Sequence, residues 1–267
     1  MGRDDSINER ILNNDQYTGL IPKTVKYIWS VFGKSNENVF VKASFLEIYN
    51  EQINDLLNTR NNNLSVRWNA QQGFFVEGLS VIDCKKPEDI VEIILEGHKN
   101  RKIGSHDLNK DSSRSHCILT IYVISEFSRD GQVFKKYGKI SFVDLAGSER
   151  LKESKSVGEM VKETGNINKS LFVLGKVIST LTDKKTAKTH IPYRDSKLTM
   201  LLMDSIGGTS KTVMIACVSP SQVYADETRS TMNYAARAMN IRNKPVVQVM
   251  KSLTIVRWTQ KSISLSI

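Results

Sequence analysis

Two rhythms of apolar residues alternate along this chain. VFVKASFLEIYN (Val39 to Asn50), CILTIYVI (Cys117 to Ile124), KISFVDL (Lys139 to Leu145) and TVMIACVS (Thr212 to Ser219) are short runs rich in β-branched and aromatic residues. Each predicts a strand. Between them the apolar spacing changes to three and four. Pro87 to Gly104 opens with Pro-Glu-Asp, a favourable helix start, and carries Ile90, Ile93 and Ile94 on one stripe. From Asn166 onward, Ile167, Leu171, Leu174, Ile178 and Leu181 share a face that leaves Lys169 and Lys176 to solvent. Asp226 to Ile241 repeats the pattern with Met232, Ala235, Ala236 and Met239. Strands alternating with helices predict an α/β domain of three layers, a central mixed sheet flanked by helices. The polar stretches near Asn61 to Asn63 and Asp183 to Lys188 read as surface loops, and neither is long enough to divide the chain.

Composition narrows the partners more than the fold. The 267 residues are 40% hydrophobic and 25% charged, enough for one large core. No apolar run reaches the ~18 residues of a membrane span, and MGRDDSINER lacks the apolar segment of a secretory signal. Cys84, Cys117 and Cys217 have no paired spacing, two of them sit in apolar strand-like runs, and buried reduced thiols in a cytoplasmic protein are expected. His98, His106, His116 and His190 have no metal-ligand spacing, and His116 reads as a loop-packing residue. The net charge of +10 is unevenly placed: Arg150 to Lys197 holds eleven Lys/Arg against five Asp/Glu, and after Glu227 there are seven Lys/Arg and no acid. Such clustering fits an acidic partner surface, with nucleic acid, anionic membrane and acidic protein all candidates. Trp29, Trp68 and Trp258 are too scattered to form a stacking platform for bases.

Candidate chemistry lies where a predicted strand ends. KISFVDLAGSER places Asp144, Gly147 and Glu149 beyond a carboxyl strand end, where three-layer α/β proteins bind ligands. Strand-Asp-x-x-Gly suits a phosphate switch: the aspartate holds magnesium through water, and a glycine amide can approach a γ-phosphate because no side chain intervenes. The same four residues also make an ordinary turn. A second cluster, NKDSSRSH (Asn109 to His116), brings hydroxyls and an arginine together before the next strand, as a loop closing over phosphate and metal would. Arg114 and Glu149 could then pair across the two loops as a latch.

These two motifs, with NINKSLFVLGKVISTL, HIPYRDSKLT, DSIGGTSKT and NYAARAMNIRNKPVV in the same order, resemble the motor domain of kinesins from roughly Tyr17 to Gln248. The resemblance implies a microtubule motor that hydrolyses ATP, with ATP or ADP and magnesium as ligands. It implies that Ser112 and Ser113 contact magnesium and γ-phosphate, with Asn109 in the same nucleotide loop. Asp144 would hold the magnesium water, Gly147 would sense the γ-phosphate, and Arg114 with Glu149 would organise the attacking water. Lys169, Arg194 and Lys197 would face the microtubule, and 243–249 would correspond to the neck linker.

The chain departs from that family at the nucleotide cradle. Kinesins carry a GxxxxGK[ST] loop upstream of the segment resembling GLIPKTVKYIWSVF (Gly19 to Phe32), and none precedes it here. FGKS fails because Ile28 stands where the first glycine belongs, and GGTSKT lacks the Gly-Lys pair. Met200 and Met203 replace polar or basic residues common in the family. The expected organisation is a non-matching segment over 1–16, a partial motor domain over 17–242 truncated at its N-terminus, a neck-linker-like segment over 243–249 and an atypical tail over 250–267. That tail offers no heptads, so a monomer is expected, and the resemblance implies a place in the cytoplasm, on the microtubule cytoskeleton. Three activities are weighed: a microtubule motor, a microtubule-binding fragment that does not hydrolyse ATP, and a basic nucleic-acid binder supported by charge alone.

Overall fold

The computed structural model describes residues 19–34, 37–104, 114–148, 159–183 and 190–251. Its centre is β1 (Asn38–Tyr49), which is buried on both faces. The strand's two-residue period divides its side chains between two cores. Val41, Ala43 and Phe45 point one way, toward helix α1 (Leu20–Phe32), helix α2 (Pro87–Gly104) and a cluster that includes Val25, Ile90 and Ile93. Leu46 and Ile48 point the other way, toward α3 (Glu159–Thr182) and α4 (Lys197–Leu201) through Leu174, Ile178, Leu198 and Leu202. Helices therefore cover both faces of the sheet, the three-layer α/β arrangement expected.

Strand order is β2 (Gln52–Asp55), β1, β6 (His116–Arg129), β7 (Gln132–Asp144), β8 (Gln248–Lys251), with β5 (Ile82–Cys84) also on β1. Every pairing among the described residues is antiparallel. A small separate ribbon joins β3 (Val66–Asn69) to β4 (Gly73–Val76). The strands expected at Cys117 to Ile124 and Lys139 to Leu145 are halves of one long hairpin. Asp130 and Gly131 both have positive φ, 53° and 73°, and form its two-residue turn between Arg129 and Gln132.

The apolar stripes of α2 and α3 bury as expected, although the side chain of Ile167 lies outside the described residues. Three other expectations fail. Thr212 to Ser219 joins no ladder, and Val213, Ile215 and Val218 are 89%, 69% and 51% exposed. A strand needs a neighbouring strand, and among the described residues none pairs with this segment. Cys217 is consequently exposed, whereas Cys84 and Cys117 are buried and burial pushes both thiols up to about 12. On α5 (Ala225–Ala238), Met232 is 60% exposed and Met239, just beyond it, 83%. The packed face is Tyr234, Ala238 and Ile241, resting against the Leu174 and Ile178 core, because that core is the apolar surface within reach.

Close approach between α2 and β1 depends on Gly97. A Cβ there would sit 2.1 Å from Cδ1 and 2.5 Å from Cε1 of the buried Phe45 ring. We expect Gly97→Ala to lower unfolding free energy by about 1–3 kcal/mol through overpacking, although alanine alone would favour the helix by ~1 kcal/mol. Urea denaturation measures the balance, and a stabilised variant would show that the ring has room to turn.

Candidate functional site

The register of the central strands brings the two candidate loops together. Cys117 lies opposite Glu47 of β1 on one side and Asp144 of β7 on the other, so these three residues share one face of the sheet. The segment ending at Ser115 and the loop Asp144 to Gly147 therefore leave the same end of adjacent strands, though they are far apart in sequence. Arg101, from the last turn of α2, lies across this row. Its guanidinium is 3.5 Å from Glu47 Oε1 and 3.8 Å from Asp144 Oδ2, and Nη2 donates to Ser115 Oγ at 3.0 Å. Arg101 and Glu47 are largely buried, whereas the Asp144 side chain is 76% exposed. One buried cation thus holds two strands and both loop bases in register while Asp144 remains open to solvent. Sequence reasoning missed Arg101 and Glu47. The signal was present, because Arg101 falls at helical spacing from Ile90, Ile94 and Gly97, where an apolar residue would be expected.

His116 opens β6 and is buried. Its Nδ1 accepts the Ala146 backbone N–H at 2.8 Å, and its Nε2 lies 2.7 Å from Ser170 Oγ on α3. Burial holds the imidazole down at about 4. This residue therefore does more than fill space beside a loop.

The cationic candidates lie on the other side of the sheet. Lys169 is exposed at the first described side-chain position of α3. Arg194, in a short 3₁₀ turn (Tyr193–Asp195), is exposed with its guanidinium 5.8 Å from the centre of the Phe74 ring. Lys197 is different: it is half-buried, and Nζ donates to the Leu64 carbonyl at 3.4 Å. The start of α4 is fixed by a feature not anticipated from sequence. Asn50 and Glu51, φ 52° and 59°, turn β1 into β2 and deliver the Glu51 carboxylate to Ser196 Oγ and the Lys197 N–H, at 3.1 and 2.9 Å. Farther on, Asn243 clasps the DSIGGTSKT loop: its Oδ1 accepts from the Gly207 N–H, and its Nδ2 donates to the carbonyls of Ser205 and Ser210. Lys244 N–H adds a bond to the Gly208 carbonyl, and Gln248–Lys251 then pairs with Phe134 to Tyr137 of β7.

A family model described as the kinesin motor domain matches residues 5–241. The chain belongs to the kinesin motor domain family. It is 43% identical over 238 residues to the kinesin-like protein KIN-12E of Oryza sativa subsp. japonica, covering 86% of this chain and 13% of that protein. The Arabidopsis thaliana KIN-12E is 42% identical over 237 residues, 86% of this chain and 19% of the relative. A solved structure of a fast kinesin, described with its implications for ATPase mechanism and interactions with microtubules, superposes with a TM-score of 0.80 at 38% identity, covering 91% of this chain and 68% of that one. The chain thus spans less than a fifth of the length of these two curated relatives.

Of the residues that the kinesin resemblance assigns to nucleotide, Arg114, Asp144 and Gly147 are described and lie at the same end of the sheet. Asn109, Ser112, Ser113 and Glu149 lie outside the described residues, and so does the Arg114–Glu149 latch. The kinesin family binds nucleotide, and the residues present fit that ligand only in part. Asp144, exposed at a strand end, suits magnesium held through water. Among the described residues, however, no three His, Cys, Asp or Glu side chains converge on a metal position, and the sequence contains no GxxxxGK[ST] to cradle phosphates. No helix among the described residues is long and apolar enough to cross a membrane.

Proposed function

We propose that this chain is a partial kinesin motor domain, over 17–242, that keeps the switch loops and the microtubule-facing surface of an ATP-driven microtubule motor. Taken alone, it acts as a microtubule-binding fragment and does not hydrolyse ATP. The observation that carries the reading is the placement of Arg114 to Ser115 beside Asp144 to Gly147, held by Arg101 between Glu47 and Asp144. In this reading Ser112, Ser113 and Asp144 serve magnesium, Asn109 and Gly147 face the phosphates, and Arg114 with Glu149 is the latch. Lys169, Arg194 and Lys197 meet an acidic tubulin surface on the cytoplasmic cytoskeleton, 243–249 is the neck linker, and the chain is monomeric when dilute. Charge alone supports a nucleic-acid reading, and no recognition motif accompanies it.

The experiment is co-sedimentation with microtubules. Binding is expected to fall steeply as salt shortens the ~10 Å Debye length at 0.1 M, and to be insensitive to ATP analogue or ADP. Lys169→Ala/Arg194→Ala should weaken it by roughly five- to thirtyfold, on the order of 0.5–1 kcal/mol for each exposed charge. Lys197 is the weaker contributor because its ammonium already serves the Leu64 carbonyl. Equal pelleting of parent and double variant would show the face to be misassigned, and a stronger salt-sensitive affinity for DNA than for microtubules would favour the third reading.

A further inference from the structure

One side chain touches three elements that would have to move together in a switch. His116 belongs to β6, where its backbone lies opposite Ile48 of the central strand. Its ring reaches the loop that follows β7, accepting from the Ala146 N–H, and it reaches α3 at Ser170. All three residues are buried, with 3%, 5% and 3% of their surface exposed for His116, Ala146 and Ser170.

The chemistry of the two contacts fixes the ring. Because Nδ1 receives an N–H, it carries no proton, so in the neutral imidazole the proton sits on Nε2 and is donated to Ser170 Oγ. The ring therefore cannot turn over or shift toward one partner without losing the other. Ala146 lies between Asp144 and Gly147 on the loop, and Ser170 is the immediate neighbour of exposed Lys169 on the helix. Within α3, Leu174 and Ile178 follow Ser170 at helical spacing and anchor the same face in the core. A displacement of the loop backbone at Ala146 is thus passed to the helix through two short hydrogen bonds and one rigid ring, with no flexible side chain between.

We propose that His116 is a positioning residue that locks the Asp144–Gly147 loop to α3, so that the loop and the Lys169-bearing helix shift as one unit. What that unit transmits, from nucleotide loop to microtubule, rests on the function proposed above. The lock itself does not.

Ser170→Ala tests it, because the substitution removes the helix-side bond and leaves both partners of the Ala146 N–H to His116 Nδ1 bond in place. The readout is amide hydrogen exchange of the dilute chain, resolved at Ala146 and at core amides such as Ile118 and Ile121. Losing one hydrogen bond corresponds to about a five- to tenfold change in a local opening equilibrium. Exchange at Ala146 is therefore expected to quicken by about that factor while the core amides remain protected, and Ser170→Thr, which keeps the hydroxyl, should restore the parent rate. His116→Asn, whose amide oxygen can replace Nδ1 but cannot reach Ser170, should behave like Ser170→Ala. An unchanged Ala146 rate in both variants, or one that rises only in step with the core amides, would overturn the proposal by reducing His116 to packing. Microtubules added as a second arm should protect Ala146 in the parent and leave it unprotected in Ser170→Ala. If the parent does not pellet, the functional reading fails while the exchange result still decides the lock.

Discussion

The 267-residue chain is expected to bind ATP no more tightly than roughly 1 mM, equivalent to about 4 kcal/mol, and to show no microtubule-stimulated phosphate release. Triphosphate affinity in such folds comes from backbone N–H groups and a lysine that converge on the phosphates at the start of a helix. Here neither FGKS nor GGTSKT has the required spacing, and the Gly207 N–H is already engaged. The Gly207 N–H is bonded to Asn243, and the Gly208 carbonyl to the Lys244 N–H. Among the described residues what remains is Asp144, with Arg101 and Gly147 nearby, enough to influence a magnesium water and too little to hold the nucleotide that carries it. A fluorescent ATP analogue titrated against the chain, with phosphate release followed in parallel, checks this. Saturable stoichiometric binding in the micromolar range would mean that a cradle exists which the Gly-Lys spacing does not reveal.

The parts of this site that sequence reveals are those encoded by local pattern. NKDSSRSH and DLAGSE are contiguous, and a strand period of two places their flanking residues correctly, so the shared sheet end could be expected before any register was known. The stripes of α2 and α3 follow from spacing alone for the same reason. Long-range pairing decides the rest. Arg101 stands out on the apolar stripe of α2, but its partners emerge only when Glu47 and Asp144 come to lie on either side of Cys117. Glu51 caps α4 only because Asn50 and Glu51 both take positive φ, a turn better signalled by the Asp130-Gly131 dipeptide of the β6–β7 hairpin. His116 could be placed in a motif, but that Ala146 and Ser170 would meet its two nitrogens depended on how α3 packs. Met232 and Met239 face solvent despite their helical spacing, because periodicity names a face without naming what lies opposite it. Thr212 to Ser219 forms no strand for a related reason, since β-propensity describes a strand that fits and cannot supply a neighbour.

That last segment leads to the other large effect: the chain is expected to self-associate in a concentration-dependent manner from low micromolar concentration upward. Two surfaces are exposed together. From Gly138 to Asp144, β7 is paired with β6 on one side, while β8 covers only Phe134 to Tyr137 on the other, so among the described residues half of this edge is bare. Ile140 on that edge is 36% exposed, and Thr212 to Ser219 offers Val213, Ile215 and Val218 without a ladder of its own. Because these backbone groups face water, they carry no buried-group penalty. The driving force is apolar area, worth about 1.5–3 kcal/mol for each large side chain that becomes fully covered, with edge pairing providing direction. An uncovered apolar β-edge of this kind also weakens the cooperative core, so a broad thermal transition should accompany association. Placing charge on both surfaces separates association from general instability: Ile140→Lys with Val213→Lys and Ile215→Lys should keep the chain monomeric in sedimentation velocity and leave the Ile121 core intact. If the parent is already a monodisperse monomer with one sharp melt, these surfaces are covered in solution. If the triple variant associates as strongly as the parent, the contact lies elsewhere on the chain.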